Sequence, residues 1–238
     1  MRRRRAIAVF CMSTIVLGVL SAAMPQLLEE SFPSTSQAPV EPSAPSLVEG
    51  ATTSGGEASV ALETLLVKGR ASKAGYERSQ FGNGWSTVNG CSTRDIILNR
   101  DLLDVQFEGA CKVVSGTLDD PYTATTIIFS KDLASNVQID HVVALSDAWQ
   151  KGAQQLTALQ RKQLANDPLE LLAVDGPANQ QKGDGDAATW LPKNKAFRCE
   201  YVARQIAIKV KYTLWVTPAE KDAMGSVLAT CPDQLLPR

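Results

Sequence analysis

Val137-Gln138-Ile139-Asp140-His141-Val142-Val143-Ala144-Leu145 is the stretch on which the reading of this chain turns. Its first residues alternate apolar and polar, as a short half-buried strand does, and deliver Asp140 and His141 at the strand's end. His141 is the only histidine in 238 residues, so chemistry that needs an imidazole near neutral pH has one seat. Downstream, Leu169-Glu170-Leu171-Leu172-Ala173-Val174 reads as a second strand, closed by Asp175-Gly176-Pro177. Asn179-Gln180-Gln181-Lys182 then opens a helix leading toward Trp190. Strand, strand and helix over 137–190 would bring one carboxylate, one imidazole and one amide around a single point.

The run Ile139 to Leu145, followed by Asn166-Asp167-Pro168-Leu169-Glu170-Leu171-Leu172 and Asn179-Gln180-Gln181-Lys182-Gly183, resembles the ββα-metal finger of HNH endonucleases. It is similar to the GmrSD restriction endonuclease C-terminal domain, a branch with many secreted actinobacterial members. Gly75-Tyr76, Phe81-Gly82, Cys91-Ser92-Thr93-Arg94 and Asp120-Pro121-Tyr122 add to the likeness. The fold it implies is α+β, with the finger embedded in a mostly helical single domain that also carries a short antiparallel hairpin. The function it implies is metal-dependent endonucleolytic cleavage, with Asp140 and Asn179 as metal ligands and His141 as general base.

The residue types suit that chemistry independently. Phosphodiester hydrolysis needs a deprotonated water, charge stabilisation at the phosphorus and help for the departing oxygen. An imidazole of ordinary pKa about 6.5 suits the first task. Magnesium, or another divalent cation such as Mn2+, suits the other two, because it takes hard oxygen ligands and keeps most of its waters. Adjacent strand residues face opposite ways, so Asp140 and His141 can share a phosphate only if the chain bends or the ion lies to one side of the strand end. Asn166 is expected to brace the loop that holds His141, and Lys182, one turn after Asn179, to touch the phosphate. HNH nucleases often use a further histidine or asparagine as third ligand, and this chain has no second histidine.

The N-terminus reads as a targeting device: Arg2 to Arg5 are basic, Ala6 to Leu20 almost wholly apolar, and Ser21-Ala22-Ala23 offers a cleavage site. Residues 1–23 are therefore expected to be a signal peptide for a secreted or envelope-associated protein, with an uncleaved membrane anchor as the competing reading. From 24 to 59 there are five prolines, five glutamates and no Lys or Arg, the composition of a disordered acidic spacer. The folded domain is expected over 60–238. Beyond the signal, Cys91, Cys111, Cys199 and Cys231 remain, an even number that can pair three ways. Local pairing, Cys91 with Cys111 and Cys199 with Cys231, is expected; a zinc site competes, although there is no C-x-x-C.

Elsewhere the pattern predicts helices over 61–67, 93–103 and 195–212, and a hairpin from Lys112 to Phe129 turning at Asp119-Asp120-Pro121. Thr217-Pro218-Ala219-Glu220 starts a last helix with a capping threonine, proline and glutamate in order. Between the finger strands an amphipathic insertion places Lys151, Arg161 and Lys162 on its wet side. Overall charge argues little for nucleic acid: residues 61–238 carry 20 Lys and Arg against 20 Asp and Glu. Substrate binding must rest on local clusters, with Lys182, Lys195, Arg198 and Arg204 as candidates. The expected partner is nucleic acid, DNA ahead of RNA, with no stable membrane partner after signal cleavage; whether an immunity protein exists is left open. Against the enzyme stand two other readings. A serine hydrolase lacks its Gly-x-Ser-x-Gly elbow here, and a catalytically inactive extracellular nucleic-acid-binding or scaffold module would keep the finger without turnover.

Overall fold

A computed structural model describes residues 56–237. The stretches expected to be signal peptide and, nearly all of it, acidic spacer lie outside the described residues. Order reaches back into the stretch expected to be spacer: α1 runs Glu57–Thr64, Ala58 is fully buried, and the Gly56 and Ala58 amides donate to the carbonyls of Pro232 and Gln234. The C-terminal tail therefore anchors the first helix.

Two short strands, β1 (Thr87–Val88) and β2 (Cys91–Ser92), pair antiparallel and lead into α2 (Thr93–Asp101). The Ser92 side chain caps α2 by accepting from the Asp95 amide. The hairpin forms from β4 (Lys112–Asp119) and β5 (Thr126–Ser130), and an unpredicted β3 (Leu103–Glu108) pairs on the far side of β4. Its residues are mostly exposed, so β3 presents little of the apolar alternation by which a strand is recognised.

The predicted finger is present as β6 (Val137–His141), paired antiparallel with β7 (Leu171–Asp175), followed by α5 (Gly176–Lys182). Helix α5 begins earlier than expected because Asp175 caps it, accepting from the Ala178 amide, and Pro177 sits in its first turn. Between the strands lie α3 (Leu145–Gln150) and α4 (Ala158–Ala165), the latter opened by a Thr157/Gln160 capping box. The chain closes with α6 (Arg198–Lys211) and α7 (Pro218–Leu228), whose Thr217/Glu220 capping box forms as the sequence predicts. This is a mostly helical α+β domain with small antiparallel sheets.

Strand β7 explains why its sequence is apolar without interruption. Leu171 and Ala173 enter a core with Ile97, Leu98, Val113 and Phe129, whereas Leu172 and Val174 enter a second core with the helices. A strand buried on both faces has no wet side to alternate with. Disulfides join Cys91 to Cys111 and Cys199 to Cys231. They close loops of 20 and 32 residues. Chain-entropy reasoning values each at about 3 kcal/mol.

Candidate active site

Four consecutive residues of β6, Gln138 to His141, line one cavity of about 430 Å³ together with Asn179 of α5. Residues of both faces of a strand can meet one cavity only where it runs along the strand's edge. β6 has such an edge, since it pairs with β7 alone. The opposed directions of Asp140 and His141 are thus reconciled by where the cavity lies, and the two side chains are held from opposite sides.

His141 is buried, 6% exposed, and its Nε2 lies 3.0 Å from the Ala165 carbonyl. A carbonyl can only accept, so Nε2 carries the proton and Nδ1 is the basic nitrogen. Nδ1 has no hydrogen-bond partner among the described residues. The ring stacks on Trp85, with centroids 5.8 Å apart and planes 7° from parallel. Burial first, and the nearby Arg78 second, push its pKa down to about 3, well below the ordinary value on which the sequence expectation rested, so the imidazole is neutral near pH 7 and a weaker base than expected.

Asp140 is also buried. Its Oδ1 accepts from Lys182 Nζ at 2.9 Å and its Oδ2 from the Tyr122 hydroxyl at 2.5 Å. Lys182 Nζ donates in addition to the His141 carbonyl at 2.7 Å, which ties α5 to the strand end. Its side chain has no exposure, so it stands behind the carboxylate and does not reach the cavity. Asn179 donates from Nδ2 to Gln138 Oε1 at 2.9 Å, leaving its Oδ1 as the free end of the amide. Asn166 caps the end of α4, accepting from the Ser86 amide at 2.7 Å and donating to the Lys162 carbonyl. It directly follows Ala165, whose carbonyl orients His141.

The basic residues divide differently from the sequence reading. Lys195, Arg198 and Arg204 are not among the residues lining this cavity; Arg198 donates to the Pro192 carbonyl, and Arg204 to Glu200 and the Leu169 carbonyl. Arg78 and Arg94 line the cavity instead. Arg78 makes no ion pair or hydrogen bond among the described residues, and Arg94 donates only to the Val137 carbonyl at 3.3 Å. Burial lowers the Arg94 pKa, with Asp95 pushing back. Trp85, Tyr122, Arg78 and Arg94 are functional candidates that residue patterns did not single out. The only signal for Tyr122 and Arg94 was their place in segments carrying the family likeness.

Among the described residues no group of three or more His, Cys, Asp and Glu comes together as a metal cage. What the cavity offers a cation is a carboxylate with two acceptor positions already engaged, of about four that a carboxylate has, and the Asn179 amide oxygen. That hard-oxygen pair fits a largely hydrated Mg2+ and does not fit a dehydrated, all-protein site.

The family described as GmrSD restriction endonucleases, C-terminal domain, matches residues 92–227, and the chain belongs to it. A protein of the fungus Arthroderma benhamiae described as an uncharacterized secreted protein is 41% identical over 173 residues, covering 71% of this chain and 82% of the relative. No solved structure matches.

Proposed function

We propose that the domain binds nucleic acid by taking a backbone phosphate into the cavity along β6, and that hydrolysis of that phosphodiester by His141 is the finer reading of the same site. The observation that carries both is a neutral imidazole with its basic nitrogen open, flanked by two arginines without ion pairs among the described residues. Guanidinium groups match phosphate oxygens in a planar, bidentate way. They would hold the substrate, while Nδ1 of His141 takes the proton of an attacking water and Nε2 stays fixed on the Ala165 carbonyl. Asn166 acts through the backbone that presents this carbonyl.

Asp140 and Asn179 would hold the divalent cation, Mg2+ or Mn2+, which when bound supplies charge stabilisation at the phosphorus and the leaving oxygen. Lys182 and Tyr122 orient the Asp140 carboxylate from behind. A specific observation favours the second reading, a nucleic-acid-binding or scaffold module without turnover: both Asp140 oxygens are engaged by Lys182 and Tyr122, and no cage is preformed. On the donor set alone this binding reading has the better support.

The secreted fungal relative and the two disulfides together support an extracellular, oxidising destination. No helix among the described residues is long and apolar enough to cross a membrane.

One experiment separates the readings. The purified protein is incubated with plasmid DNA and with RNA, in Mg2+, in EDTA and as His141→Ala. Cleavage lost in EDTA and reduced by roughly 10²- to 10⁴-fold in the variant supports hydrolysis. Binding without cleavage in any metal supports the module, and absence of binding removes both.

A further inference from the structure

A second cavity, of about 650 Å³, opens between α4 and the end of α6, with Ser86, Leu159, Lys162, Asn166, Lys211 and Tyr212 in its walls. It borders the His141 site. Ser86 and Asn166 follow Trp85 and Ala165 directly in the chain, and those two residues line a smaller cavity of about 170 Å³ against the His141 ring. The Ser86 amide bonds to Asn166 Oδ1 at 2.7 Å, so the two segments form one shared wall. Lys162 crosses the rim: a Cβ placed on Gly82, which lines the smaller cavity, would lie 3.4 Å from Lys162 Cγ.

The walls combine two kinds of surface. Leu159, 66% exposed, and the half-buried Tyr212 ring offer apolar and aromatic area. Tyr212 is held in place because its hydroxyl donates to Asp167 Oδ2 at 2.8 Å. The Asp167 carboxylate is further neutralised by Lys211 Nζ at 2.5 Å. Lys162 is exposed and has no ion pair among the described residues, so its ammonium is available to an anion at the boundary between the cavities. A stacking surface beside an unpaired cation is what a single nucleic-acid strand requires, whereas the bases of a duplex have no free face to offer.

We propose that this cavity is a second nucleic-acid subsite, taking an unpaired base against Tyr212 and Leu159 and a phosphate against Lys162, from the strand whose neighbouring phosphate occupies the His141 cavity. The inference rests on the phosphodiester reading of that first cavity and adds to it a preference for single strands. Gly82 lies where the two cavities come closest, at φ +104°, a backbone conformation that a side chain would strain.

The test is fluorescence anisotropy in EDTA with labelled oligothymidylates of about three and about ten nucleotides, lengths that fill one cavity or both. The longer strand is expected to bind more tightly. Lys162→Ala with Tyr212→Ala should lower its affinity by about tenfold, one lost stacking contact and one lost charge, and leave the short strand's affinity unchanged. Tyr212→Phe, which keeps the ring and loses only its hydroxyl tie to Asp167, should retain more of the affinity than Tyr212→Ala. Lys162→Glu, an exposed change that leaves the core intact, should by itself give the same length-selective loss. Equal loss for both lengths, or none for either, overturns the subsite. So does an acidic polypeptide that binds as tightly as the long strand and is lost in the same variants. If neither length binds the wild-type protein, the phosphodiester reading fails first, and the subsite with it.

Discussion

Two groups of charges behave in opposite ways in this domain. In the interior, Lys151 Nζ lies 2.8 Å from Asp147, 2.7 Å from Asp186 and 2.7 Å from Glu220. Lys209 reaches Glu220 at 3.0 Å, and Arg70 closes the network on Asp147 and Asp186. Cations and carboxylates balance there, and all but Arg70 are buried. Along β6, Arg78 and Arg94 line a cavity and make no ion pairs among the described residues. A net charge near zero therefore conceals the separation: the interior absorbs acids and bases pairwise, and the unpaired cations are left where an anion can reach them. Buried pairs act as ties between distant elements, whereas open arginines are available to phosphate.

The largest effect expected on this contrast is acid sensitivity. The folded pKa of His141 is depressed to about 3, so between roughly pH 6.5 and 3 the unfolded chain binds the extra proton. Stability from this group is fully present above the unfolded pKa and is lost as pH falls toward the folded one, by about 5 kcal/mol in all. Urea titrations of wild type and His141→Gln across that range should differ in slope, and parallel curves would contradict the burial argument. Next, Lys151→Met leaves three buried carboxylates without their shared ammonium and should cost ~3–5 kcal/mol in chemical denaturation. A loss under about 1 kcal/mol would mean that the network is not the interior tie described here.

Smaller effects sharpen the other side. Replacing Cys199 and Cys231 by serine should lower stability by about 3 kcal/mol while leaving nucleic-acid affinity unchanged, since that bridge joins α6 to the tail away from β6. Arg78→Ala should move stability by no more than about 0.5 kcal/mol, as an exposed side chain without ion pairs. Its nucleic-acid affinity, read by anisotropy in EDTA, should fall by about tenfold, the value of one charge-assisted contact at about 1.4 kcal/mol. The reverse outcome, lost stability with unchanged affinity, would place Arg78 among the structural charges.

Local signals read well from residues because their partners are neighbours. The Thr217/Glu220 box, the strand ending in Asp140-His141 and the apolar run of β7 each depend on a few adjacent side chains. Lys151 shows where such reading stops. The helical pattern sets it on the wet face, yet it is fully buried, because Asp186 and Glu220 arrive from 35 and 69 residues away to meet it. Lys182 behaves the same way: one turn after Asn179 it suggests a phosphate contact, but Asp140, 42 residues earlier, claims its ammonium in the interior. Glu220 caps α7 as its position predicts and also holds Lys151 and Lys209, a second task with no local trace.

By itself the sequence determined the ββα order, the lone imidazole beside a carboxylate and an even set of cysteines beyond the expected signal peptide, since spacing and residue type suffice for each. Only the tertiary structure decided which bases are enclosed and which stay open, that Tyr122 and Lys182 grip Asp140, and that Trp85 lies against His141. The physical reason is that desolvation and pairing are properties of an environment assembled from segments far apart along the chain, and no local pattern encodes which charge will be met there.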